Sequence, residues 1–244
     1  MQLKDTTVLV VDDEPDWRAI IAEWFGREGC HVLVAENGAE ALALIRAEHI
    51  DVVVSDVRMP VMDGISLLRS LKASESYKPS VMFISGFSDI GPREAYDLGV
   101  EVMMSKPVER KELIAALTRV LTARDELWQM VPSDKPEAIL DAAFESLATA
   151  LSQRLLAFGR GGFQIHSTLI LREGPVNLLL DFQDDKRTVT GQGIVRWIAS
   201  AEAEIGVEIT YIDDKNRAWI IGLTGENKSF SFIPFLTSKA STAR

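Results

Sequence analysis

Cysteine is nearly missing from this chain of 244 residues: Cys30 stands alone, so no disulfide forms within it and a scaffold held by disulfides is excluded. Long apolar runs are missing as well. No window approaches about 18 uninterrupted apolar residues, so no membrane insertion is expected. The start, MQLKDTTVLVVDDE, meets acids before a signal-peptide core can build. A cytoplasmic location is the expectation from these two deficits. Bases are outnumbered, Lys+Arg 26 against Asp+Glu 36, for a formal charge of −10. A surface of that sign repels polyphosphate, so no DNA partner is expected from bulk charge. Histidine is scarce: His31, His49 and His166 are scattered along the chain and read as structural or surface groups rather than ligands.

What is present is an ordinary globular composition, 47% hydrophobic and 25% charged, with apolar mass for one large or two modest cores. Residues 1–130 carry 22 acids and 14 bases, whereas residues 131–244 carry 14 and 12. The pattern of the text changes at the same place, which indicates two domains. In the first, apolar runs at 8–12, 31–35, 51–56, 81–86 and 101–105 alternate with stretches of helical period at 18–29, 38–48, 65–74, 94–99 and 109–130. Strands apolar on both faces and separated by helices predict an α/β doubly wound, parallel five-stranded sheet. Functional groups then belong at the carboxyl ends of the strands.

Those ends bring together Asp12 and Asp13 after the first strand, Asp56 after the third, Ser85 after the fourth and Lys106, followed by Pro107, after the fifth. Three convergent carboxylates repel one another unless a cation joins them. A hard divalent ion with oxygen ligands, Mg²⁺ above all, satisfies them and leaves positions for a phosphoryl oxygen. Lys106 pairs with the same cluster, and the Ser85 hydroxyl can hydrogen-bond a new phosphoryl group. The chemistry expected is in-line phosphoryl transfer onto Asp56.

VLVVDDEP, VVVSDVRMPVMDG, FISG and SKP, in this order over about 120 residues, resemble the CheY-like receiver domain of two-component response regulators. The resemblance implies a metal site of Asp12, Asp13, Asp56 and the main-chain carbonyl of Arg58, a phospho-acceptor at Asp56, a switch hydroxyl at Ser85 and the lysine at Lys106. It also implies a sensor histidine kinase or phosphotransfer protein as phosphoryl donor. Pro60 and Gly64 occupy turn positions after the acceptor. Where the family usually has an inward-turning aromatic, this chain has Met103, whose flexible thioether can fill an inward pocket. The fourth helix is expected to be short and to begin near Pro92.

Helix five is expected to run to about Met130 and to be followed, after a cap at Ser133 or Asp134, by a helix over 137–158. Its stripe of Leu140, Ala143, Phe144, Leu147, Leu151, Leu155 and Phe158 fits either packing on its own domain or a homodimer seam. From residue 163 the period becomes two, and FQIHSTLI, VNLLLDFQ, TVTGQGIVRWIAS, EIGVEITYID and AWIIGLT predict a small antiparallel β-barrel or sandwich. No helix-turn-helix pattern appears. GRGG at 159–162 lacks the Lys and Ser/Thr of a phosphate loop, so no enzyme is expected beyond a receiver that accepts phosphoryl groups and loses them by self-hydrolysis.

Residues 154–214 resemble a PilZ domain, through RLLAFGRGGFQIHS, GQGIVRWIAS and IGVEITYIDD. In that family cyclic di-GMP is held by an Arg-x-x-x-Arg segment and an Asp/Asn-x-Ser-x-x-Gly turn. Here the turn aligns on Ala157, Gly159 and Gly162, and the arginines are Arg154 and a misplaced Arg160. The expectation is therefore a degenerate PilZ-like module that engages a downstream protein partner under control of Asp56. The alternative is a dual-input receptor that still binds cyclic di-GMP through Arg154 and Arg160. The expected layout is a receiver over 1–124, a helical linker over 125–158, a β-barrel over 159–236 and a flexible tail over 237–244. FSFIPFL at 230–236 is too apolar to lie exposed and is expected to dock on the barrel or on a partner.

Overall fold

The computed structural model describes residues 3–73, 79–86, 90–129, 136, 138–224 and 235–237. The chain divides into two compact units, one of Met1–Leu121 with Pro234–Arg244, the other of Thr122–Ile233. No helix among the described residues is long and apolar enough to cross a membrane.

The first unit alternates β1 (Thr7–Val11), α1 (Pro15–Arg27), β2 (His31–Ala35), α2 (Gly38–Ala47), β3 (Val52–Ser55), α3 (Gly64–Ala73), β4 (Ser80–Ser85), α4 (Pro92–Leu98), β5 (Val102–Ser105) and α5 (Arg110–Leu121). All pairings are parallel, in the order β5-β4-β3-β1-β2. The uniformly apolar strands are buried from both sides. Val8, Val10, Val52 and Met82 pack with α1 and α5 through Ile21, Phe25, Leu113 and Leu117. Leu9, Val53 and Phe83 pack with α2 and α3 through Ala41, Leu67 and Leu71. This is the doubly wound arrangement expected, with α4 short and starting at Pro92.

Two local expectations fail in and after α5. The helix stops at Leu121, and a separate single turn, α6 (Arg124–Leu127), delivers Trp128 into the core of the second unit; Met130 lies outside the described residues. The predicted helix over 137–158 does not form. The chain instead builds β6 (Ala138–Phe144), α7 (Leu147–Ser152) and β7 (Leu156–Phe158), so the described residues form neither the expected helical linker nor a seam of that kind for a homodimer. Leu140 and Phe144 are the buried residues of β6, and a step of four satisfies a period of two as readily as a helical one. Ser146 then caps α7 by accepting a hydrogen bond from the Thr149 amide at 3.1 Å. The proposed caps Ser133 and Asp134 lie outside the described residues.

The second unit continues through β8 (Gly162–His166), β9 (Gly174–Phe182), β10 (Arg187–Ala199), β11 (Glu204–Ile212) and α8 (Asp214–Thr224). Its sheet order is β6-β9-β10-β11-β8-β7. The sheet curls around a core that includes Trp128, Leu147 and Ile220. It is not the wholly antiparallel barrel expected, because β6 pairs parallel with β9, and no pairing joins the edge strands β6 and β7 among the described residues. AWIIGLT, expected as a strand, lies in α8. The Asp213 carboxylate accepts from the Asn216 amide at 3.0 Å and its carbonyl from the Arg217 amide at 2.9 Å, a capped helix start that outweighs the β-branched run.

The last described element, β12 (Phe235–Thr237), pairs parallel with β5 and makes the first sheet six-stranded. Of the apolar segment expected to dock on the barrel or a partner, Phe235 and Leu236 thus pair with the first unit's sheet; residues 230–234 and 238–244 lie outside the described residues.

Candidate functional site

Each parallel strand ends on the same edge of the sheet, so the loops after β1, β3, β4 and β5 bring their first residues together. Asp12 follows β1 directly and is 2% exposed, Asp56 follows β3 and is 8% exposed, and Ser85, the last residue of β4, is 5% exposed. Asp13 is exposed beside them. The backbone fixes these positions: the Asp12 amide donates to the Ala35 carbonyl at 3.2 Å and the Asp56 amide to the Val11 carbonyl at 2.8 Å.

Lys106 sits across the cluster. Its Nζ donates to Asp56 Oδ2 at 2.6 Å, to Asp12 Oδ2 at 2.9 Å and to Glu14 Oε1 at 3.2 Å. The other Asp56 oxygen, Oδ1, accepts from the Ser85 hydroxyl and from the Arg58 amide, each at 3.2 Å. Asp12 Oδ1 accepts from the Glu14 amide at 2.9 Å. Burial pushes the Asp12 carboxyl above its ordinary value, the hydrogen bonds from Lys106 and the Glu14 amide pull against that rise, and the neighbouring Asp56 charge adds to it. Burial disfavours the Lys106 ammonium, but its hydrogen bonds to Asp56 and Asp12 outweigh that penalty and raise its pKa.

Asp12, Asp13 and Asp56 each offer a carboxylate oxygen, and these oxygens lie within 4.8 Å of one another. Three hard, anionic oxygen donors at the mouth of a sheet fit a divalent cation such as Mg²⁺. The Arg58 backbone stands next to this set, its N–H donating a hydrogen bond to Asp56 Oδ1.

The loop after the acceptor depends on Gly64. A Cβ there would lie 2.3 Å from the Asp56 carbonyl oxygen, so only glycine lets the start of α3 close over the acceptor's backbone. The Gly64 amide donates to the Val57 carbonyl at 2.9 Å and locks that approach. Met103 on β5 is half-buried and packs on the core that contains Phe83.

Sequence reasoning brought Asp12, Asp13, Asp56, Ser85 and Lys106 to one place, and the structure does the same. It missed Glu14, the third carboxylate on Lys106, and Arg18, whose Nη1 donates to the Asp12 carbonyl. The signal for both was available: Glu14 completes the acidic run, and Arg18 sits one turn later on α1. Arg154 follows α7 in the left-handed region, with φ 58°, and Arg160, on the far side of β7, donates from Nη2 to the Thr122 carbonyl at 2.5 Å. Gly162 has a packing reason of its own, since a Cβ there would lie 1.9 Å from the Val207 carbonyl oxygen of β11.

Residues 8–118 match the response regulator receiver domain. Transcriptional regulatory protein GlrR of Escherichia coli K12 is 32% identical over 133 residues, covering 53% of this chain and 30% of GlrR. Transcriptional regulatory protein CpxR of Klebsiella pneumoniae is 30% identical over 137 residues, covering 55% of this chain and 58% of CpxR. The chain thus spans less than two thirds of either relative. Among solved structures, the chemotaxis response regulator CheY4 of Vibrio cholerae is 30% identical, with 48% of this chain and 98% of CheY4 covered and a TM-score of 0.45. Motifs, strand-end geometry and the family match converge on one conclusion: residues 8–118 of this chain are a response regulator receiver domain.

Proposed function

We propose that Asp56 accepts a phosphoryl group from a sensor histidine kinase or a phosphotransfer protein in the cytoplasm, and that this modification governs what the second unit binds. The observation that carries the reading is the Lys106 ammonium bridging Asp12 and Asp56 at 2.9 and 2.6 Å, with the Ser85 hydroxyl on the opposite Asp56 oxygen. An Asp56 carboxylate oxygen forms the new bond to phosphorus while the donor's phosphorus–nitrogen bond breaks, and the imidazole leaves with the electron pair. Asp12, Asp13, Asp56 and the Arg58 carbonyl would hold Mg²⁺, which when bound neutralises charge on the phosphoryl oxygens. Lys106 holds the carboxylate in place beforehand and pairs with a phosphoryl oxygen afterwards; Ser85 donates to another. Met103, on the strand that leads into Lys106, is the position through which the change reaches the β5 face.

The test is labelling with radioactive acetyl phosphate in Mg²⁺. Asp56→Asn is expected to abolish incorporation, whereas undiminished labelling of that variant would overturn Asp56 as acceptor.

For the second unit we propose a PilZ-like interaction module that takes a protein partner and has lost cyclic di-GMP. Three features support this. Arg160 is engaged by the Thr122 carbonyl, Arg154 stands on the other side of β7, and Gly162 is accounted for by the close passage of β11. The names of GlrR and CpxR attach transcriptional regulation to those proteins, whereas the receiver match here ends at residue 118. With 14 acids against 12 bases after residue 130, nothing in the charge of this part favours DNA. Calorimetric titration with cyclic di-GMP, with and without beryllofluoride and Mg²⁺, is expected to give no heat. Micromolar binding would instead make the protein a dual-input receptor.

A further inference from the structure

The chain leaves the first unit after Leu121, builds the whole second unit and returns at Pro234. What it does on returning is specific. Phe235, Leu236 and Thr237 take up parallel register opposite Val102, Met103 and Met104 of β5. Without them β5 would be the edge of the sheet. Its sequence, VMMS, has no charge or proline to blunt an edge, so the strand presents unpaired amides and carbonyls in an apolar setting.

The strand that receives this segment is also the one that reads the acceptor. Ser105 of β5 pairs with Ser85 of β4, and the Lys106 amide donates to the Ser85 carbonyl at 2.9 Å. Lys106 then reaches Asp56 through its Nζ. Leu236 lies opposite Met103, three residues before Lys106. Any shift of β5 that follows a change at Asp56 alters the edge to which β12 is paired, and by linkage the pairing alters the acceptor's surroundings in return.

We propose that the outer edge of β5 is a docking site for an extended apolar segment, that this chain's own Phe235–Thr237 occupies it before phosphorylation, and that occupancy is coupled to the phosphoryl state of Asp56. Release of β12 uncovers a β-edge that accepts a strand by augmentation. The coupling rests on Asp56 being the acceptor; the docking does not.

The test is amide hydrogen exchange on the full chain, read as the ratio of β5 exchange to that of β1 at the centre of the same sheet. Neighbouring residues of a strand point their N–H groups to opposite edges, so of Leu236→Pro and Thr237→Pro one is expected to raise the ratio about tenfold and the other far less. Leu236→Gly, which keeps its N–H, is the milder comparison. A ratio that stays at the parent value in both proline variants overturns the docking. In a second arm, beryllofluoride with Mg²⁺ is expected to change the ratio about fivefold in the parent chain and to leave it unchanged in the releasing variant. No change in the parent overturns the coupling. The first arm contains no phosphoryl mimic, so failure of Asp56 as acceptor, seen separately by labelling, is distinguishable from failure of the strand.

Discussion

Replacing Lys106 by methionine keeps most of the side chain's bulk and removes the ammonium that bridges Asp12 and Asp56. Asp12 and Asp56 are then left as neighbouring carboxylates whose oxygens lie within 4.8 Å. At an effective dielectric constant of about 20 that repulsion is about 3 kcal/mol. Breaking a buried ion pair on one side costs about 3–5 kcal/mol, and the partial exposure of Lys106, 15%, brings the expectation down to ~2–3 kcal/mol. Urea unfolding followed by circular dichroism in a chelator, at neutral pH, reads this directly. Added Mg²⁺ supplies the lost charge, so it should stabilise Lys106→Met by at least about 1 kcal/mol more than it stabilises the parent chain. The reasoning fails if the variant without metal lies within about 0.5 kcal/mol of the parent, or if Mg²⁺ stabilises both equally.

Gly64→Ala places a methyl group 2.3 Å from the Asp56 carbonyl oxygen; the backbone must retreat, and phosphorylation by acetyl phosphate should slow about 10- to 100-fold while Ala73→Gly, at the far end of α3, leaves the rate unchanged. In the second unit, the 1%-exposed Glu208 is paired with Arg196 at 2.5 Å, and burial pushes the guanidinium down to about 10. Arg196→Met should therefore destabilise that unit by ~3 kcal/mol, and Arg196→Met/Glu208→Met should recover most of it; equal loss in single and double variants would refute the pairing. For Asp213, burial raises the carboxyl and the hydrogen bonds from Asn216 and Lys215 outweigh it, so its pKa is lowered in the fold. Its stabilising contribution is then present above the unfolded value of 3.8 and lost as pH falls through the lower folded value. Asp213→Ala should cost about 1 kcal/mol at neutral pH, and the difference from the parent should close in acid.

The parallel sheet and its site were legible because the physics there is local and redundant. Each strand of the first unit is a short run buried on both faces, and each ends on a residue whose chemistry stands out against that run. Elsewhere the text was ambiguous. Leu140 and Phe144 satisfy helix and strand alike, and the choice fell to pairing with β9, some 40 residues later. Trp219, Ile220 and Ile221 look like strand, but the cap at Asp213 starts a helix that runs on through them. The apolar character of FSFIPFL was visible; its partner was not, because Phe235 pairs with Val102 across more than 130 residues of sequence and no local period encodes such a choice. Glu14 and Arg18 stand beside the acidic run in the text, but their contacts with Lys106 and the Asp12 carbonyl form only in the folded turn.

Trp128 decides how the second unit can be studied in isolation. Its indole is fully buried, with the ring centroid 6.0 Å from that of Phe158, its carbonyl accepts from the Ile212 amide at 3.0 Å, and the Thr122 carbonyl holds Arg160. A fragment begun at the first strand, near Ala138, would discard all of these and open a hole the size of an indole in the core, a loss of about 3–5 kcal/mol. The residues that look in sequence like the tail of a helix are the keystone of the next fold, and a soluble, folded fragment has to begin no later than Thr122.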